Sequence, residues 1–157
     1  MLGQQQISDR LEIQELLTSY SHAVDRRRWD DLDDLFTSDA VIDYTASGSI
    51  RGSLPELKAH LVSIMPLLLS YQHLVGTSLL TVSGNEATGS SICFNPMVID
   101  GGQDAPPRVF FCGLWYHDRF VRTTAGWRMA ERLQELSYFY NFPGGQPPGS
   151  APFGYPA

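Results

Sequence analysis

Apolar residues recur at three- and four-residue spacing near the start of the chain, at Leu11, Leu16, Leu17, Tyr20, Ala23 and Val24. With Ser8 or Asp9 as cap ahead of Glu12, this spacing predicts a helix over about residues 8–26. Trp29, Leu32, Leu35 and Phe36 fall on one face of a short second helix, 29–36, with aspartates on the other. Ala40 to Tyr44 alternates as a strand, and the turn-rich stretch Gly48 to Gly52 leads to another short one. A third helix starts at Leu54-Pro55-Glu56 and runs to about Pro66, with Leu57, Leu61, Ile64 and Met65 as its apolar positions. Beyond Tyr71 the period changes. Strands are predicted over 73–82, 87–98, 109–122 and 127–139, separated by Ser83-Gly84-Asn85, Asp100-Gly101-Gly102 and Thr124-Ala125-Gly126. Helices in front and a strand meander behind predict an α+β architecture, in which the helices cover the concave face of a curved antiparallel sheet and leave a pocket. Residues 1–140 form a single domain in this reading. Residues 141–157 hold five prolines, four glycines and no charge, and are expected to form an irregular arm, disordered or lying across a neighbour.

Composition narrows the classes. With 157 residues, 43% hydrophobic and 18% charged, the chain can bury one core without disulfides or metals. The net charge of -6 opposes binding to nucleic acid and to anionic membranes. The densest apolar stretch, 61–69, is far shorter than the roughly 20 residues of a membrane span, and the N-terminus has no signal pattern, so a cytoplasmic location is expected. The basic run Arg26-Arg27-Arg28, followed by Asp30, Asp31, Asp33 and Asp34, reads as a solvated surface of ion pairs. Lys58 is the only lysine, on an exposed helix stretch, and a Schiff-base mechanism would rest on it alone. Cys93 and Cys112 lie in apolar strand-like runs and read as small buried hydrophobes.

Three polar residues stand in apolar surroundings: Asp25 at the end of the first helix, His73 opening the first long strand, and Arg132 in the last strand. Asp25 sits where the helix dipole disfavours an anion and therefore needs a partner. Singly, each also has a structural explanation: a hydrogen-bonded core histidine, an aspartate paired with Arg26, an arginine on a strand surface. His22, on the same helix as Asp25, reads as exposed or capping. The four histidines show no metal-ligand spacing, and there is no Walker loop, GxGxxG or GxSxG, so neither a metal nor a cofactor is expected. Aromatic residues of the predicted strands that face the concave side would line an apolar pocket for a small hydrophobic molecule.

The segments Ile13-Gln14-Glu15-Leu16, Tyr20, Ala23-Val24-Asp25-Arg26, Trp29-Asp30-Asp31-Leu32, Phe36, Ile42-Asp43-Tyr44, Gln72-His73 and Gly126-Trp127-Arg128 together resemble the SnoaL-like branch of the nuclear-transport-factor-two-like superfamily, over residues 7–140. The resemblance extends to scytalone dehydratase and hexachlorocyclohexane dehydrochlorinase and implies a cone-shaped α+β barrel around an apolar pocket. It implies that Asp25 and His73 form a carboxylate–imidazole dyad in which the histidine removes a carbon-bound proton. It further implies that Arg132 lines the pocket near a leaving group and that Tyr44 helps to orient a water on a substrate carbonyl. Three positions depart from these relatives: Tyr20 replaces a lysine of the dehydrochlorinase, Val24 a tyrosine of scytalone dehydratase, and Met97 stands near the latter's second histidine. The C-terminal arm resembles a segment that packs at a trimer interface.

The resulting expectation is a cofactor-independent lyase or isomerase acting on a small hydrophobic substrate. Its catalytic residues would be His73, Asp25 and Arg132, and its substrate-binding residues Tyr20, Tyr44, Met97, Trp115 and Tyr116. A neutral imidazole suits the base at physiological pH, with a carboxylate fixing its tautomer. A homo-oligomer, trimer or dimer, is expected. Two alternatives remain open: a non-catalytic small-molecule-binding protein, and the small subunit of a ring-hydroxylating oxygenase.

Overall fold

The computed structural model describes residues 1–103 and 105–143. The first helix, α1 (Gln4–Asp25), starts one turn earlier than its apolar pattern, because Gln6 Oε1 accepts the backbone N–H of Gly3 and caps the end. Ser8 instead bonds Glu12 on the helix surface. Of the predicted stripe, Leu16, Leu17, Tyr20, Ala23 and Val24 lie in the core, but Leu11 is exposed and Ile13 is buried in its place, at the position that continues the i, i+3, i+4 spacing back from Leu16 and Leu17.

At its C-terminus the N–H of Arg28 reaches the carbonyl of Ala23 (2.8 Å) and that of Arg27 the carbonyl of Val24 (3.0 Å), a Schellman closure. Arg27 takes the left-handed position, φ 55°, that usually falls to glycine. Such a conformation costs a residue with a Cβ about 1–2 kcal/mol. The Arg27 side chain offsets it by donating to Tyr71 Oη (3.1 Å) and to the carbonyls of Met65 (3.0 Å) and Leu68 (3.2 Å). The basic run therefore divides: Arg28 pairs with Asp31 on the surface as expected, while Arg27 clasps the helix end to the chain that follows the third helical segment.

The predicted second helix is a 3-10 turn, Trp29–Asp34, and Phe36 already opens β1 (Phe36–Asp43). Here β pairing overrides the helical spacing, because Phe36, Ala40 and Ile42 point into the core beside a parallel partner strand. β2 (Arg51–Gly52) pairs with β1, and α2 (Leu54–Ile64) begins at Ser53, whose N–H and hydroxyl both bond Glu56. Lys58 on α2 is held by Asp30 and Asp33. Helical structure ends as a 3-10 turn through Pro66, and Leu68 to Tyr71 then forms an unpredicted strand, β3.

The single strand expected over 73–82 is two pieces, β4 (Leu74–Val75) and β5 (Leu79–Ser83), both pairing with β6 (Glu86–Ile99). β7 (Arg108–Thr123) and β8 (Gly126–Tyr140) complete the meander within a residue or so of expectation. The sheet runs β2-β1-β8-β7-β6-β3, antiparallel except where β1 meets β8, and is curved and unclosed. The α+β fold class read from the sequence is the one observed. Asp9, buried on α1, fastens the helix to the sheet through Arg122 and the indole N–H of Trp127.

From residue 144 onward the predicted C-terminal arm lies outside the described residues. Its first residues turn back at Asn141 (φ 58°), whose amide donates to the carbonyl of Val109. Phe142 then packs against Phe110 and Phe139.

Candidate functional site

Strand alternation sorts the aromatic residues. Phe110, Cys112, Leu114 and Tyr116 of β7 and Phe139 of β8 face inward, where they meet α1 and α2 around a cavity of about 200 Å³. Phe94 and Phe111 stack on the opposite, outer face, ring centroids 5.4 Å apart. Gly113, paired with Phe94 on one side and Tyr138 on the other, leaves the space that the Tyr138 ring fills: a Cβ there would stand 2.3 Å from it.

Asp25 and His73 meet at the cavity wall. Asp25 Oδ1 accepts from His73 Nδ1 at 2.7 Å, and Oδ2 accepts the backbone N–H of the same histidine at 3.0 Å. The Schellman turn fixes the carboxylate at the end of α1. The gap between β3 and β4 frees the backbone N–H of His73 to reach it. Asn95 anchors that gap by donating to the carbonyl of Gln72 (2.7 Å). Tyr20 and Tyr71 stand edge-on to the imidazole, each 6.5 Å centroid to centroid. With Nδ1–H committed to the carboxylate, a neutral ring carries its lone pair on Nε2, which bonds no described residue.

Tyr20 and Tyr44 share a hydroxyl–hydroxyl bond of 2.6 Å, and both line the cavity. Burial pushes both phenols above their ordinary range, Tyr44 well above it, with the Arg132 charge pulling the other way. They therefore stay protonated. Since one hydroxyl donates to the other, the acceptor keeps a proton of its own to donate.

Arg132 does not line the cavity. Its guanidinium lies under the floor, 4.1 Å from the Tyr20 ring centroid and 4.2 Å from that of Tyr116, and is bonded twice to Asp118 (2.7 and 2.9 Å). Burial opposes the charge, but Asp118 outweighs it and holds the arginine protonated. The expected role of Arg132 at a leaving group is corrected on this point: Asp118, its cross-strand partner, occupies the fork that would have faced a ligand.

Trp115 is the second correction. It faces outward between Ile92 and Glu135, because the pleat sends alternate residues of β7 to opposite sides. The other expected binding residues, Tyr20, Tyr44, Met97 and Tyr116, do line the cavity. His22 is exposed.

Sequence reasoning missed four polar side chains in the wall, Ser47, Ser49, Asn95 and Gln134. The single hydroxyl proton of Ser47 lies within reach of both Gln134 Oε1 and the Tyr44 carbonyl, and Ser49 bonds His60 Nε2 at 2.8 Å. The first two sit in a loop whose sequence shows only turn composition. Burial pushes the thiols of Cys93 and Cys112 up to about 11 and about 12, the behaviour of inert core residues. Among the described residues no group of three or more His, Cys, Asp or Glu is placed to hold a metal, and no helix is long and apolar enough to cross a membrane.

Comparison with known proteins matches residues 5–133 to the model of the SnoaL-like domain. An uncharacterized protein of Mycobacterium tuberculosis (strain ATCC 25618 / H37Rv) is 49% identical over 134 residues, covering 85% of this chain and 89% of its own. Among solved structures, the Kfla4162 protein of Kribbella flavida superposes with a TM-score of 0.78 at 22% identity, covering 85% of this chain and 94% of that one. Hexachlorocyclohexane dehydrochlorinase LinA-type3 from Novosphingobium barchaimii LL02 gives 0.74 at 21%, covering 91% and 97%. A scytalone dehydratase-like protein from Novosphingobium aromaticivorans DSM 12444 gives 0.74 at 17%, covering 94% and 97%. At these identities the structural likeness is one of fold.

Proposed function

Because the chain belongs to the SnoaL-like domain family, we propose that it is a cofactor-independent lyase or isomerase in which His73 removes a carbon-bound proton from a small hydrophobic substrate. The observation that carries this reading is the Asp25–His73 pair at the cavity wall, with Nδ1 held and Nε2 uncommitted. A dehydrochlorinase and a scytalone dehydratase-like protein among the structural neighbours agree with it.

His73 Nε2 takes the proton, and the imidazolium so formed is stabilised by Asp25. The acidity of the carbon comes from a neighbouring carbonyl, on whose oxygen negative charge develops. The Tyr20–Tyr44 pair supplies a hydroxyl donor to that oxygen from a preorganised, water-poor wall. Arg132 acts from beneath, through its contact with the Tyr20 ring, as a positioning residue. The apolar lining by Leu61, Met65, Phe110, Leu114 and Phe139 selects an uncharged ring or short chain.

The test is exchange of the α-protons of 1-indanone into deuterated water, followed by NMR. His73→Gln is expected to reduce the protein-catalysed rate to background while leaving the fold intact by circular dichroism. Exchange retained in that variant overturns the assignment. Ligand binding without exchange in the parent protein would make the cavity a binding site only.

A further inference from the structure

A proton base alone does not complete a dehydration. Hydroxide is a poor leaving group, the conjugate base of water with a pKa of about 15.7, and its departure needs a proton donor. The tyrosine pair is committed to the developing enolate in the reading above, and Met97 has no proton to give. Of the other lining groups, Tyr116 keeps a buried phenol with no hydrogen-bond partner and Cys112 a thiol held protonated by burial, whereas Ser49 is bonded to an imidazole that can resupply its proton.

Ser49 lines the cavity, and its Oγ is bonded to His60 Nε2 at 2.8 Å. The histidine is half-buried, and its other ring nitrogen bonds no described residue. His60 sits on a rigid support: α2 is capped at Ser53 by Glu56, and Leu57 and Leu61 on either side of it are buried. The Ser49–His60 bond is not what closes the loop. Tyr44 already does so, since its carbonyl accepts the N–H groups of Ser47 and Ser49 and its own N–H donates to Ile50.

We infer that Ser49 and His60 are the proton-delivery arm of this cavity, protonating an oxygen that leaves from the carbon next to the one His73 deprotonates. The inference rests on the His73 reading above. In the reaction His73 Nε2 takes the α-proton, the C–H electron pair becomes the new C=C bond, and the C–O pair leaves with the oxygen. That oxygen takes the proton of Ser49 Oγ as His60, entering as imidazolium, passes its Nε2 proton to Oγ. The products are an unsaturated carbonyl compound and water, with His73 protonated and His60 neutral. Exchange of protons with solvent restores both. Ser49 is the group that touches the substrate, and His60 acts through it.

The experiment compares 3-hydroxy-1-indanone with 3-chloro-1-indanone, whose chloride leaves unprotonated. In His60→Gln and in Ser49→Ala the ratio of dehydration to dehydrochlorination rates is expected to fall by about 100-fold or more, the scale of general acid catalysis. Equal losses on both probes would show a structural role and overturn the inference, as would an unaltered ratio. Indanone exchange in the parent protein separates the two levels. If exchange is present and the ratio does not move, the relay fails and the base stands; if exchange is absent, the base and the relay built on it fail together.

Discussion

The bidentate pair of Arg132 and Asp118 has side-chain exposures of 1% and 0%, so it is sealed from water. Replacing Asp118 by leucine, which has the same branched skeleton of four heavy atoms, removes both acceptors and strands the guanidinium. Its Nη1 already lacks a hydrogen-bond partner, so no other group is there to take over. Leaving one member of a buried pair unpaired costs about 3–5 kcal/mol. For a chain of this length that corresponds to a drop in Tm of about 10–15 °C. The double variant Asp118→Leu with Arg132→Met removes both charges and is expected to recover most of the loss, since a well-packed apolar pair replaces a buried ion pair at little cost. Thermal unfolding followed by circular dichroism, with urea titration as a second measure, reads both. A single variant within about 3 °C of the parent would refute the reasoning and show that the Tyr20 and Tyr116 faces alone can hold the cation.

Three further outcomes are expected. Asp25→Asn keeps one acceptor for the two His73 donors, so tautomer control is lost and indanone exchange should slow by about 10²–10⁴-fold; a change below about tenfold would place that control elsewhere. Because burial raises both thiols from 9.0, to about 11 and about 12, they ionise first in the unfolded chain, and stability should fall as pH rises through that window. In Cys93→Ala with Cys112→Ala that part of the decline disappears, and an unaltered slope counts against the assignment. Burial pushes the Asp9 carboxyl up, but the bonds from Arg122, Gln5 and Trp127 outweigh it and hold it below 3.8. Its contribution is therefore present above that value and lost as pH falls through the lowered one, so Asp9→Asn should be less stable at neutral pH and show a flatter acid limb in urea titrations.

The helix stripe from Leu16 to Val24, the long hairpin strands and the α+β class were legible in the chain because they are local periodicities, repeated over enough residues to outweigh a single exception such as the exposed Leu11. The same holds for the need of Asp25 for a partner, which follows from its place at a helix C-terminus. Phe36 was read as helix, and Leu68 to Tyr71 was given no element, because their neighbours in the sheet, β8 and β6, lie far away in sequence and pairing overrode local spacing.

The site divides along the same line. Residue type and family likeness singled out Asp25, His73, Tyr20 and Tyr44. Only the tertiary structure decided that Asp118 captures Arg132 beneath the floor, that Trp115 faces outward, and that Ser49 and His60 meet. Which side of a long strand is concave, and which charge pairs with which, depends on register across strands and on loop closure. Those are contacts between distant residues, and a pattern read along the chain carries no record of them.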